Sequence, residues 1–105
     1  MDAPHEAFTI TETQGEGVTA VALRGDLDLA SADGVTRRLQ ALRDAGEPVV
    51  LDLDELNFID SSGLRVILQA VEDSRAGWSF RVTAGSEPVR RLLEAAGLTG
   101  RLPVV

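Results

Sequence analysis

The feature that most constrains this chain is a short, almost wholly apolar run, Pro48-Val49-Val50-Leu51-Asp52-Leu53, set between two stretches of helical periodicity. A run this short and this apolar fits a strand buried on both faces, as in the middle of a parallel sheet. The stretch before it, from Ser31 to about Ala45, puts Val35, Leu39 and Leu42 on one face and Arg37, Arg38 and Arg43 off it. Ser31 is its candidate cap and Gly46 its stop. The stretch after it runs from about Ser61 to Arg75. Strands joined through helices need right-handed crossovers, and these impose a mostly parallel sheet.

The remaining segments extend this frame. Ala7–Thr13 and Val18–Leu23 alternate as strands do, and Gln14-Gly15-Glu16-Gly17 reads as a hairpin-type turn between them. Gly25-Asp26-Leu27-Asp28 reads as a polar connection. Trp78–Thr83 is a further strand, and Ser86 caps a third helix with Pro88 in its first turn and Val89, Leu92, Leu93 and Ala96 as its apolar stripe. Gly97 and Gly100 end it, and Leu102–Val105 offers an edge strand. The expected fold is α/β, β-β-α-β-α-β-α with an optional last strand. It has a four- to five-stranded, mostly parallel sheet opened by one antiparallel hairpin. A length of 105 residues fits one domain spanning 1–105.

Charge and composition remove several classes of function. A net charge of −7 repels a phosphate backbone, so nucleic acid is not an expected partner. All ten basic residues are arginine, a sign of a G+C-rich coding sequence rather than of mechanism. No cysteine is present, which excludes disulfides and thiolate metal sites. Met1–Ala7 lacks the pattern of a secretory signal, and no stretch is apolar enough to span a membrane. The expected compartment is therefore the cytoplasm, with no membrane partner.

The chemistry concentrates in Asn57-Phe58-Ile59-Asp60-Ser61-Ser62-Gly63-Leu64-Arg65-Val66-Ile67-Leu68, a loop feeding a helix start. Asp60 is a strong cap candidate: its carboxylate can accept from the amides of Ser62 or Gly63 and favours the positive end of the helix dipole. Ser61 and Ser62 then occupy the exposed first turn. At about 100° per residue, Leu64, Ile67, Leu68 and Val71 form the expected core face, which leaves Val66 exposed on the far side as a contact point for a partner.

Phe58 to Leu68 resembles the phosphorylation-site segment of the anti-sigma factor antagonist family, also called STAS domains. Two other regions agree. Leu23-Arg24-Gly25-Asp26-Leu27-Asp28 resembles the family's Leu-x-Gly-Glu-Leu-Asp segment, with Asp26 where Glu is usual. Ser86–Leu93 followed by Gly97-Leu98 resembles its C-terminal helix. The resemblance covers nearly the whole chain in the right order. It implies a bacterial switch protein and not an enzyme. The unphosphorylated form binds an anti-sigma factor that is itself a serine kinase, and so frees a sigma factor. Phosphorylation of the serine after the aspartate, here Ser61 with Ser62 as the alternate, breaks that complex. A serine phosphatase, engaged transiently, restores it. The expected partner-binding set is Asp26, Asp28, Asp60, Ser61, Ser62, Gly63 and Val66, with Gly63 letting the kinase approach. The same resemblance leaves open a second role, as a STAS docking or scaffold subunit of a lipid transporter or stress-sensing complex.

Other chemistries lack their parts. The only histidine, His5, lies in the N-terminal tail, and there is no Gly-x-Ser-x-Gly elbow for a serine hydrolase. No Walker loop is present, and no cofactor or metal is expected. Asp52, Asp54, Glu55 and Asp60 could hold a hard cation, but acidic loops are usually just solvated. A phospho-aspartate receiver would use Asp52 or Asp54 together with a lysine, and the chain has none.

Overall fold

The computed structural model describes residues 7–105, so His5 lies outside the described residues. Four strands and three helices follow one another: β1 (Thr9–Gln14), β2 (Thr19–Leu27), α1 (Leu29–Asp44), β3 (Val49–Ile59), α2 (Ser61–Ser74), β4 (Phe80–Val82) and α3 (Glu87–Ala95). A single 3-10 turn, Thr99–Arg101, follows α3. The sheet order is β1-β2-β3-β4. β1 pairs antiparallel with β2, while β2–β3 and β3–β4 are parallel. The expected α/β class, opening hairpin and element order all stand. The proposed last strand reduces to one parallel bridge, Val82 to Val104, at the sheet's edge.

Two strands run further than their alternation implies. β2 continues through Gly25 to Leu27, and β3 through Glu55 and Asn57 to Ile59. Register shifts at Ala22/Arg24 and Gly25/Asp26 insert extra β3 residues against β2. The inward positions of β3 therefore change from every second residue (Val49, Leu51, Leu53) to every third (Leu53, Leu56, Ile59). Gly25 makes its kink at φ +99°, where a side chain would be strained. The segment Gly25–Leu27 is thus strand rather than connection, and Asn57–Ile59 is strand rather than loop.

The core joins Val21, Leu23 and Leu27 of β2 to Leu51, Leu53 and Ile59 of β3 and to Val35, Leu39 and Ile67 of the helices. Trp78 stacks on Phe80 at 5.0 Å and donates its indole N–H to the carbonyl of Glu47 at 2.8 Å. That bond ties the start of β4 to the chain entering β3. Arg43 bridges to Asp73 at 2.8 Å and ties the end of α1 to α2.

Candidate functional site

Each parallel strand hands its chain to a helix at the same edge of the sheet. In open α/β sheets this carboxyl edge is where ligands bind. β2 ends at Leu27 and β3 at Ile59, and these two residues are register partners. The next residue in each case is an aspartate that caps the following helix. Asp28 accepts from the amides of Ala30 at 3.0 Å and Ser31 at 3.3 Å. Asp60 accepts from Ser62 at 2.8 Å and Gly63 at 3.1 Å, as the sequence predicts. The Asp60 amide donates to the Leu27 carbonyl at 3.1 Å, which joins the two junctions side by side.

Asp28, not Ser31, is the cap of α1. The Ser31 hydroxyl instead closes a capping box, accepting from the Asp28 amide at 2.9 Å and donating to the Asp26 carbonyl at 2.8 Å. An aspartate just before a helical run is the available signal. The polar-connection reading of Gly25–Asp28 hid it.

Ser61 is the first residue of α2 and is exposed, whereas Ser62 is half-buried. Neither hydroxyl has a hydrogen-bond partner among the described residues. Ser61 opens a shallow groove of about 320 Å³ along the outer flank of α2, bordered by Leu64, Arg65, Leu68 and Glu72. Asp26, Asp28 and Asp60 are half-buried at the same edge.

Two expected partner-facing residues turn inward. Val66 is 8% exposed and lines, with Leu39 and Trp78, a crevice of only about 20 Å³ between α1 and α2. The core face of α2 is Gly63, Val66, Ile67 and Ala70, and Leu68 is 40% exposed. Counting large apolar side chains misplaced this face. α2 packs against α1 as well as the sheet, and its nearest approach is marked by small residues that carry little hydrophobic weight. Gly63 is one of them. A Cβ there would lie 2.6 Å from the Leu27 carbonyl oxygen and 2.7 Å from both Ile59 Cγ1 and Leu27 Cγ. Its missing side chain serves the helix–sheet contact.

The acidic residues considered for a cation are occupied by the fold. Asp52 accepts from the Asp54 amide at 2.9 Å, and Asp54 from the Gly85 amide at 3.0 Å, which fastens the loop after β4 to β3. No group of three or more metal-ligating side chains exists among the described residues, and no helix there is long and apolar enough to cross a membrane. Missed by sequence reasoning are two large apolar side chains at the same edge. Leu29, the first residue of α1, is 77% exposed and Phe58 near the end of β3 is 48% exposed.

The STAS domain family's sequence model matches residues 9–104. The chain is 37% identical over 91 residues to the anti-sigma F factor antagonist of Paenibacillus polymyxa, covering 84% of this chain and 78% of that one. Its fold matches the crystal structure of an anti-sigma factor antagonist from Mycobacterium paratuberculosis with a TM-score of 0.84 at 26% identity, over 99% of this chain and 89% of that one. The phosphorylated form of SpoIIAA from Bacillus shares the fold, with a TM-score of 0.67 at 18% identity over 90% and 86% of the two chains.

Proposed function

This chain belongs to the STAS domain family, and on that footing we propose that it is an anti-sigma factor antagonist switched by phosphorylation of Ser61. Unmodified, it binds an anti-sigma factor serine kinase in the cytoplasm and so releases a sigma factor. The kinase phosphorylates Ser61, the complex parts, and a serine phosphatase resets the cycle. The observation that carries this reading is the Ser61 hydroxyl: exposed, without an internal partner, and first in its helix. Ser62, half-buried in the same turn, offers a kinase less access.

The physics of the switch is local. A phosphate adds about −1.5 to −2 charges and three acceptor oxygens. The helix dipole at the start of α2 favours that charge within the fold, although Asp60 already holds the amides of Ser62 and Gly63. A partner covering it must desolvate a dianion beside Asp60. Arg65, one turn on, borders the same groove but supplies a single positive charge. Leaving a buried charge incompletely paired costs several kcal/mol, and about 4 kcal/mol is about a thousandfold in affinity.

The test is phosphopeptide mapping after incubation with the cognate anti-sigma factor kinase and ATP, paired with binding by two variants. Label should fall on Ser61. Ser61→Ala should hold the kinase permanently, and Ser61→Asp should bind it weakly. Label on another residue, or equal capture of the kinase by both variants, would refute the proposal.

A further inference from the structure

The loop after β4, one face of α3 and the chain from the 3-10 turn onward border a cavity of about 540 Å³, larger than the groove beside Ser61. Small-molecule sites span about 300–1,000 Å³. The walls of this one are fastened. The Val82 amide donates to the Pro103 carbonyl at 3.0 Å and the Val105 amide to the Val82 carbonyl at 2.9 Å, which holds the last segment against β4. The Gly85 amide, bonded to Asp54 at 3.0 Å, holds the loop after β4. Leu93, Leu102 and Val104 supply an apolar lining. Leu93 is buried, but Val104 is 42% exposed, so the fold leaves part of that lining uncovered.

Two charges of opposite sign border the same cavity: Arg90 and Glu94, one turn apart on α3. Both are exposed, and neither has an ion pair among the described residues. Their neighbours on the helix do pair, Arg91 with Glu87 at 2.6 Å. The difference is one of order. An acid one turn before a base is the favourable order in a helix, and Arg90–Glu94 has the reverse. Glu94 also stands in the last turn of α3, where the helix dipole disfavours a carboxylate. The fold gains nothing from a carboxylate there, whereas a cation seated beside it would. One ill-placed surface charge is ordinary. This one shares a cavity with an unpaired guanidinium and an apolar wall.

We propose that this cavity binds a small zwitterion with an apolar side chain, either a free amino acid such as leucine or a short apolar peptide. Its carboxylate meets the Arg90 guanidinium, whose planar fork suits that group. Its ammonium meets the Glu94 carboxylate, and its side chain covers Leu102 and Val104. Charge selects this class over the others. A simple anion would face Glu94 and a chain of net charge −7. A simple cation would face Arg90. A neutral apolar ligand would draw both charges out of water without pairing either. The two helix positions are about 6 Å apart at 1.5 Å per residue. Two long side chains can converge across that span on one amino acid, and the ends of a dipeptide match it directly. The site is independent of the switch proposed at Ser61.

The test is titration calorimetry of the full chain with leucine, phenylalanine and leucylleucine, with amide NMR shifts to locate the site. Binding should saturate, and the shifts should centre on Arg90, Thr99 and Val104. Leucinamide lacks the carboxylate and N-acetylleucine lacks the ammonium, so each should bind more weakly by about tenfold or more. Arg90→Gln, Glu94→Gln and Val104→Asp should each weaken leucine binding to a similar degree with an unchanged circular dichroism spectrum. Arg91→Gln, next in sequence but off the cavity, should bind normally. Tighter binding of leucylleucine than of leucine assigns the site to a short peptide, and the reverse order assigns it to a free amino acid; either supports the proposal. No binding of any of the three at millimolar concentration, undiminished binding of leucinamide and N-acetylleucine, or normal binding in all three cavity variants would overturn it.

Discussion

Gly63→Ala adds a single methyl group and separates two explanations of why a glycine follows the two serines. That methyl would meet the Leu27 carbonyl oxygen at 2.6 Å, Ile59 Cγ1 at 2.7 Å and Leu27 Cγ at 2.7 Å. None of the three can swing aside cheaply. The carbonyl belongs to β2 and already accepts the Asp60 amide, and Leu27 and Ile59 are both fully packed in the core. Relief requires the first turn of α2 to lift off the sheet. Overpacking of this kind costs about 1–3 kcal/mol. Alanine's better helix propensity returns at most about 1 kcal/mol, and less in a first turn. The net loss is about 1–2 kcal/mol. For a domain of this size each kcal/mol moves Tm by about 4–8 °C, so a fall of about 5–15 °C is expected. Thermal unfolding followed by circular dichroism reads it directly. A Tm equal to or above that of the parent protein would refute the packing argument and return Gly63 to the partner surface.

Three further outcomes follow from the same geometry. Val66→Ala should cost about 2 kcal/mol in urea unfolding, whereas Leu68→Ala should stay within about 0.5 kcal/mol; the reverse order would restore the exposed position first read for Val66. Asp60→Ala removes the acceptor for two amides and should cost about 1 kcal/mol, with Asp60→Asn retaining most of it; equal losses in both variants would show that the cap's hydrogen bonds are not the cause. Phosphorylation of Ser61 should leave Tm within a few degrees of the unmodified protein, because the exposed hydroxyl holds no internal bond and the helix dipole favours the charge; a fall of more than about 10 °C would mean that the proposed switch works by unfolding.

Regular periodicity is legible in sequence, and departures from it are not. Val49, Leu51 and Leu53 alternate, so the start of β3 reads correctly. Two bulges then stretch the inward spacing to three residues, and the alternation of β2 and β3 reads as ending where the first of them begins. That truncation turned the two junctions into loops and concealed Asp28 as a cap. The cap of α2 was legible because Asp60 precedes an unbroken helical pattern. The face of α2 was not, because Gly63 and Ala70 mark the close contact by what they lack. Exposure of Leu29 and Phe58 depends on where two strand ends lie relative to each other, which no local pattern carries.

The two strand-to-helix junctions are near copies, and their difference bears on which one can act as the switch proposed above. In each, a buried aliphatic ends the strand and an aspartate caps the helix. At the first, the nearby hydroxyl, Ser31, is committed to the capping box and to the Asp26 carbonyl. Modifying it would break bonds that hold the junction. At the second, Asp60 alone satisfies the amides of Ser62 and Gly63, so the Ser61 hydroxyl holds nothing in place. A group whose modification costs the fold nothing can respond to a kinase and a phosphatase repeatedly without unfolding. On the reading proposed above, the charge of a phosphate on Ser61 would then act on a bound partner rather than on the fold.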